Sequence, residues 1–124
     1  MDIGTLIKQI EEACVSGRIH MYESEKKSEE SIRKAFAAFQ NRRNELSGIH
    51  SLCMSGNSLL IAIPLLEAEN IHELHITYGL TELPEWICEA NSLCRLSVSS
   101  SNIATVPDWI GNLKSLTSLT LGNL

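Results

Sequence analysis

A chain of 124 residues can bury one modest core, which leaves little to stabilise a second independent domain. Its 44% hydrophobic and 20% charged residues are the composition of a folded globular protein and exclude a disordered one. Residues 1–48 carry eight acids and eight bases, whereas residues 49–124 carry seven acids against Arg95 and Lys114, so the second half holds the whole net charge of −5; such a surface repels phosphate backbones, and no nucleic-acid partner is expected.

The longest apolar run, residues 59–66, contains Pro64 and falls well short of the roughly 20 residues that span a bilayer, so no membrane partner is expected either. The start, Met1-Asp2-Ile3, opens with an acid and does not resemble a cleaved secretory signal. Without such a signal, Cys14, Cys53, Cys88 and Cys94 are expected to be reduced thiols in a cytoplasmic protein. An uncleaved export signal would escape this test, so a secreted effector is the alternative.

In chain order, Ile3, Leu6, Ile7, Ile10 and Cys14 recur at helical spacing and predict an amphipathic helix ended by Gly17. A second helix is expected from near Ser28. It has Glu29 and Glu30 in its first turn, Ile32, Ala35, Phe36, Phe39 and Leu46 on one face, Arg42 and Arg43 near its end, and Gly48 as its stop. The Glu/Lys-rich stretch 23–30 reads as a solvated helix face or linker. Residues 1–48 are thus expected to be a helical cap.

From residue 49 the chain repeats itself. The 19 residues from Leu80, LTELPEWICEANSLCRLSV, align at an offset of 23 with the 19 from Ile103, IATVPDWIGNLKSLTSLTL. Pro84/Pro107, Trp86/Trp109, Ile87/Ile110, Ser92/Ser115, Leu93/Leu116 and Leu96/Leu119 are identical, and Leu80/Ile103, Leu83/Val106, Glu85/Asp108 and Val98/Leu121 are conservative. Leucine anchors extend the frame backwards, Leu52, Leu74, Leu96 and Leu119, separated by 22, 22 and 23 residues. Each opens an alternating pair, Leu52-x-Met54, Leu74-x-Ile76, Leu96-x-Val98 and Leu119-x-Leu121, which reads as a short strand burying both members. A turn with Asn57, Gly79 or Asn102 follows, then an inward apolar residue (Leu59, Leu80, Ile103) and an apolar-Pro step (Ile63-Pro64, Leu83-Pro84, Val106-Pro107). The return leg carries Ile110, Leu113 and Leu116. One such unit cannot bury its own inner face, and stacked units share a core.

These residues resemble a leucine-rich repeat of the plant-like and bacterial kind, L-x-x-L-x-L-x-x-N-x-[LI]-x-x-[LV]-P, with the I-G-N-L core in PDWIGNLKSLTSLTL. The resemblance implies an α/β fold: a short solenoid over residues 49–124, about three and a half repeats with the last incomplete, parallel strands on its concave face, and the helical cap in front. The anchor-to-proline distance drifts from 12 (Leu52 to Pro64) to 10 (Leu74 to Pro84), so the first units are expected to be irregular. The chain stops just after Leu119 and Leu121, which suggests self-association through an uncapped last repeat or a piece of a longer array.

Parallel strands about 4.8 Å apart would line up the outward positions as ladders. Two residues before the anchors stand His50, His72, Cys94 and Thr117, and one before them Ser51, Glu73, Arg95 and Ser118. One residue beyond come Cys53, His75, Ser97 and Thr120, and three beyond come Ser55, Thr77, Ser99 and Gly122. From these, His72, Glu73, His75, Arg95, Ser97 and Ser99 are the expected contacts to a protein or peptide partner. His50, His72, His75, Cys53 and Cys94 are residue types a zinc site uses, yet no CxxC or HxxxH spacing supports one, and no metal or other cofactor is expected. Cys53 with His75 has the types for thiol catalysis but lacks an orienting group and an enclosed pocket, so no enzyme and no catalytic residue is expected. Trp86 and Trp109 read as packing between units rather than as exposed hot spots.

The expected function is non-catalytic protein binding through the concave face. The alternatives are a recognition fragment of a larger leucine-rich-repeat effector of the ubiquitin-ligase type, to which the helical segment before short repeats bears a loose resemblance, and a self-associating structural protein.

Overall fold

The computed structural model describes residues 3–22, 28–99, 103 and 105–121. Helix α1, Ile3–Ser16, buries Leu6, Ile10 and Ala13, the face its apolar spacing marks out. Gly17 ends it with a left-handed φ of 85°, a conformation that costs glycine nothing, and its N–H donates to the Ala13 carbonyl at 2.7 Å. The chain leaves that turn directly into a strand, β1, Arg18–Met21, which buries Ile19 and Met21 and exposes Arg18 and His20. The sequence reading of residues 1–48 as wholly helical lacks this strand.

Helix α2, Glu29–Ala37, starts where expected: Ser28 Oγ accepts from the Ser31 N–H at 3.2 Å, and Ile32, Ala35 and Phe36 face inward. It does not run on to Gly48. The N–H groups of Ala38, Phe39 and Gln40 donate to carbonyls three residues back, which tightens the last turn, and a separate one-turn helix α3, Arg43–Leu46, brings in Leu46. Arg42 holds the break. Its φ of −128° is not helical, its guanidinium lies 4.5 Å from the Phe39 ring centroid, and it pairs with Glu45 at 2.6 Å and Glu11 of α1 at 2.8 Å. These bonds pull the Glu45 carboxyl below its ordinary range, chiefly through the hydrogen bond from Arg42.

Four further strands follow: β2 (Ser51–Met54), β3 (Glu73–Ile76), β4 (Arg95–Val98) and β5 (Ser118–Leu121). With β1 they form one five-stranded parallel sheet in sequential order, so the class is α/β. Ile19, Leu52, Leu74, Leu96 and Leu119 sit side by side in register, as do Met21, Met54, Ile76, Val98 and Leu121. β2 to β5 fall where the anchor spacing puts them.

From β2 onward the chain takes two routes between strands. After β4 and before β5 it passes Pro107 into a 3-10 turn, Asp108–Asn112; the preceding link passes Pro84 into Glu85–Glu89. The two prolines have φ of −61° and −63°, and the residues closing the turns, Ala90 and Leu113, both have φ of −82°. Segments related by 23 positions are therefore geometrically equivalent. Trp86 and Trp109 lie half-buried against the core, the packing role expected of them. After β2, in contrast, Ser55 caps a true helix, α4, Gly56–Ala62, in place of the expected turn at Asn57, and α4 leads through 3-10 turns at Ile63–Leu65 and Ala68–Asn70. The longer anchor-to-proline distance is this helix. Asn102 lies outside the described residues.

The core runs the length of the sheet, with Leu52, Leu74 and Leu96 at most 1% exposed. It thins at β5, where Leu119 is 41% exposed, and Val106 of the last unit is 44% exposed. Leu74→Ala should cost about 2–5 kcal/mol, as for a fully packed leucine, and Leu119→Ala less than half as much. Urea midpoints of the two variants check this, and equal losses would contradict the burial difference between the third and fifth strands.

Candidate binding face

One face of the sheet packs on the core; the other carries the outward rows. The strand ends are joined by a repeated backbone device. The carbonyl two residues before each anchor accepts two N–H groups from the next unit: Gly17 from His50 and Ser51, His50 from His72 and Glu73, His72 from Cys94 and Arg95, and Cys94 from Thr117 and Ser118, at 2.7–3.2 Å. The His50 and His72 rings thereby stand next to each other, centroids 5.6 Å apart and planes tilted by 31°, and a Cβ at Gly17 would overlap the His50 ring. This position needs glycine in the first unit for contact as well as for φ.

Next comes the row Arg18, Ser51, Glu73, Arg95 and Ser118, then the row His20, Cys53, His75, Ser97 and Thr120. Seven of these, Arg18, His20, Ser51, Cys53, Glu73, His75 and Arg95, line one shallow depression of about 400 Å³. Of the residues expected to contact a partner, Glu73, His75 and Arg95 meet there, Ser97 continues the second row beside His75, His72 stands exposed at the strand entrance, and Ser99 is exposed beyond β4. Sequence reasoning missed Arg18, His20 and Tyr22, all brought in by β1. The available signal was the pair Ile19-x-Met21 after Gly17, built like Leu52-x-Met54.

The third row departs from expectation. Ser55 is fully buried rather than outward, because its hydroxyl accepts from the Ser58 N–H to start α4 and bonds Ser58 Oγ at 2.8 Å. Gly122 lies outside the described residues.

His75 Nε2 stands 3.9 Å from Glu73 Oε2, both side chains partly exposed. Cys53, on the neighbouring strand, shares a 2.6 Å hydrogen bond with the Tyr22 hydroxyl. The thiol and the imidazole of the Cys53/His75 pair thus have separate partners. Among the described residues no group of three or more His, Cys, Asp or Glu side chains could hold a metal ion. Also among the described residues, neither Arg18 nor Arg95 has a carboxylate within ion-pair distance. The cysteines are all free, and no described helix is long and apolar enough to cross a membrane.

No protein-family model matches the chain, and neither a curated protein nor a solved structure is significantly similar to it.

The Tyr22–Cys53 bond has a measurable signature. It favours the neutral phenol, and with burial it pushes Tyr22 up to about 12 from the ordinary 10. Between those values the folded chain holds a proton that the unfolded chain has lost, so stability falls as pH rises through this window. In a Tyr78→Phe background, phenolate absorbance should report Tyr22 titrating near 12, and Cys53→Ala should bring it down toward the usual phenol range. An unchanged titration in Cys53→Ala would remove the thiol as the cause.

Proposed function

We propose that this chain is a short solenoid of the leucine-rich-repeat type and acts as a non-catalytic module that binds a protein or peptide through its outward, concave sheet face. The observation that carries this reading is the in-register stacking of the anchors, Leu52 on Leu74 on Leu96 on Leu119, which sets polar side chains in continuous rows over a buried floor. Such rows offer many contacts held at fixed spacing by a backbone that need not reorganise on binding. The open shape of the depression favours a macromolecular ligand over an enclosed small molecule. His72, Glu73, His75, Arg95, Ser97 and Ser99 are the assigned contacts, joined by Arg18 and His20, and the cytoplasm is the assigned compartment.

Replacing Arg95 and His75 together by alanine should weaken partner capture at least tenfold, as for central contacts of an interface, and leave the circular dichroism and melting curve in place. Capture at wild-type affinity by a folded double variant would remove this face from the interaction.

A second reading, self-association, is favoured by one observation: β5 pairs with β4 only, among the described residues, and its Leu119 is 41% exposed. Light scattering after size exclusion should then give a mass that rises with concentration and that Leu119→Lys returns to the monomer. A monomer at all concentrations rejects it.

A further inference from the structure

The chain carries a net charge of −5, yet the depression on its sheet face is lined by two guanidiniums and two imidazoles against a single carboxylate, Glu73. That carboxylate lies beside His75, and Arg18 and Arg95 have no ion-pair partner among the described residues. One further acid is near: Glu12 of α1 lines a neighbouring hollow with Arg18 and His20. An unpaired guanidinium with its five fixed donors is suited to a carboxylate held by two parallel bonds.

We infer that the face takes an acidic extended segment lying across the strands, with two carboxylates four residues apart held by Arg18 and Arg95. This rests on the reading of the face as a protein-binding surface and adds the chemistry of the partner. Arg18 and Arg95 share a row, on β1 and β4, and three strand spacings make about 14 Å. In an extended peptide, side chains at i, i+2 and i+4 point the same way, and i to i+4 spans about 13 Å. The residue between, i+2, passes Ser51 and Glu73, where an acid is repelled and a lysine is matched. The preferred pattern is acid, any, base, any, acid.

The experiment is fluorescence anisotropy of the intact chain at low salt with two labelled peptides, Glu-Gly-Lys-Gly-Glu and its charge reversal Lys-Gly-Glu-Gly-Lys, each flanked by Gly-Ser. The first should bind at least tenfold more tightly, weaken with added salt, and weaken again when its two glutamates are moved to adjacent positions. Arg18→Glu with Arg95→Glu should invert the preference, an outcome that loss of fold cannot imitate. Equal binding of both peptides, or an unchanged preference in the double variant, overturns the inference. So does an inorganic polyphosphate that competes as tightly as the acidic peptide, which would make the ligand a phosphate. A dimer abolished by the same double variant also overturns it, because a second copy would then occupy the face. Capture of a non-acidic partner that is lost in the Arg95→Ala, His75→Ala variant would sink the acidic preference alone and leave the binding face standing. Failure of both would sink the two together.

Discussion

Everything about this molecule depends on the register between neighbouring parallel strands. It is written twice in the backbone: once in the strand ladders, and once in the carbonyls of Gly17, His50, His72 and Cys94 that each accept two N–H groups from the next unit. Side chains alternate with a period of two, so a slip of one residue between strands would bury Glu73, His75 and Arg95 and expose Leu74 and Ile76. The cost of burying unpaired charge forbids that slip. The buried leucines and the exposed polar rows are two faces of one constraint.

The N-terminal helices complete this arrangement instead of standing apart from it. Helix α1 hands the chain to β1 through Gly17, while α2 and α3 form the return path from β1 to β2. Arg42 binds the two parts together, touching α1 through Glu11, α3 through Glu45 and the core through Phe39. The ion pairs are solvent-exposed and contribute little individually. Their value is geometric, because they hold the break between α2 and α3, on either side of which Phe39 and Leu46 are buried.

The sheet was legible because its signal is long-range periodicity. Leu52, Leu74, Leu96 and Leu119 recur at nearly constant distance, and their spacing located four strands and the two middle rows of the face. β1 escaped because Ile19 precedes Leu52 by 33 residues, off the period, and its four residues lie between two segments that read as helix. With β1 went Arg18 and His20, and so the positive end of the depression. The break in the second helix was invisible for a different reason: Phe39 and Leu46 are seven residues apart and also lie on one face of an unbroken helix. Ser55 was misplaced because its role as a cap depends on Ser58 three positions on, a local bond that competes with the strand pattern. Whether the face binds, and what, is not written in periodicity at all.

Burial declines along the sheet, from Leu52, Leu74 and Leu96 inside to Leu119 at its edge. Parallel strands that lean only on their neighbours do not open all at once; they peel from the least covered side. Deuterium should therefore enter the backbone amides of β5 first and those of β2 and β3 last. The arginine on β4 then sits one strand in from the fraying margin, while the arginine on β1 is braced by a helix. If β5 opens first, the two ends of the face differ in rigidity, and a ligand spanning them would steady the looser end more than the firmer one.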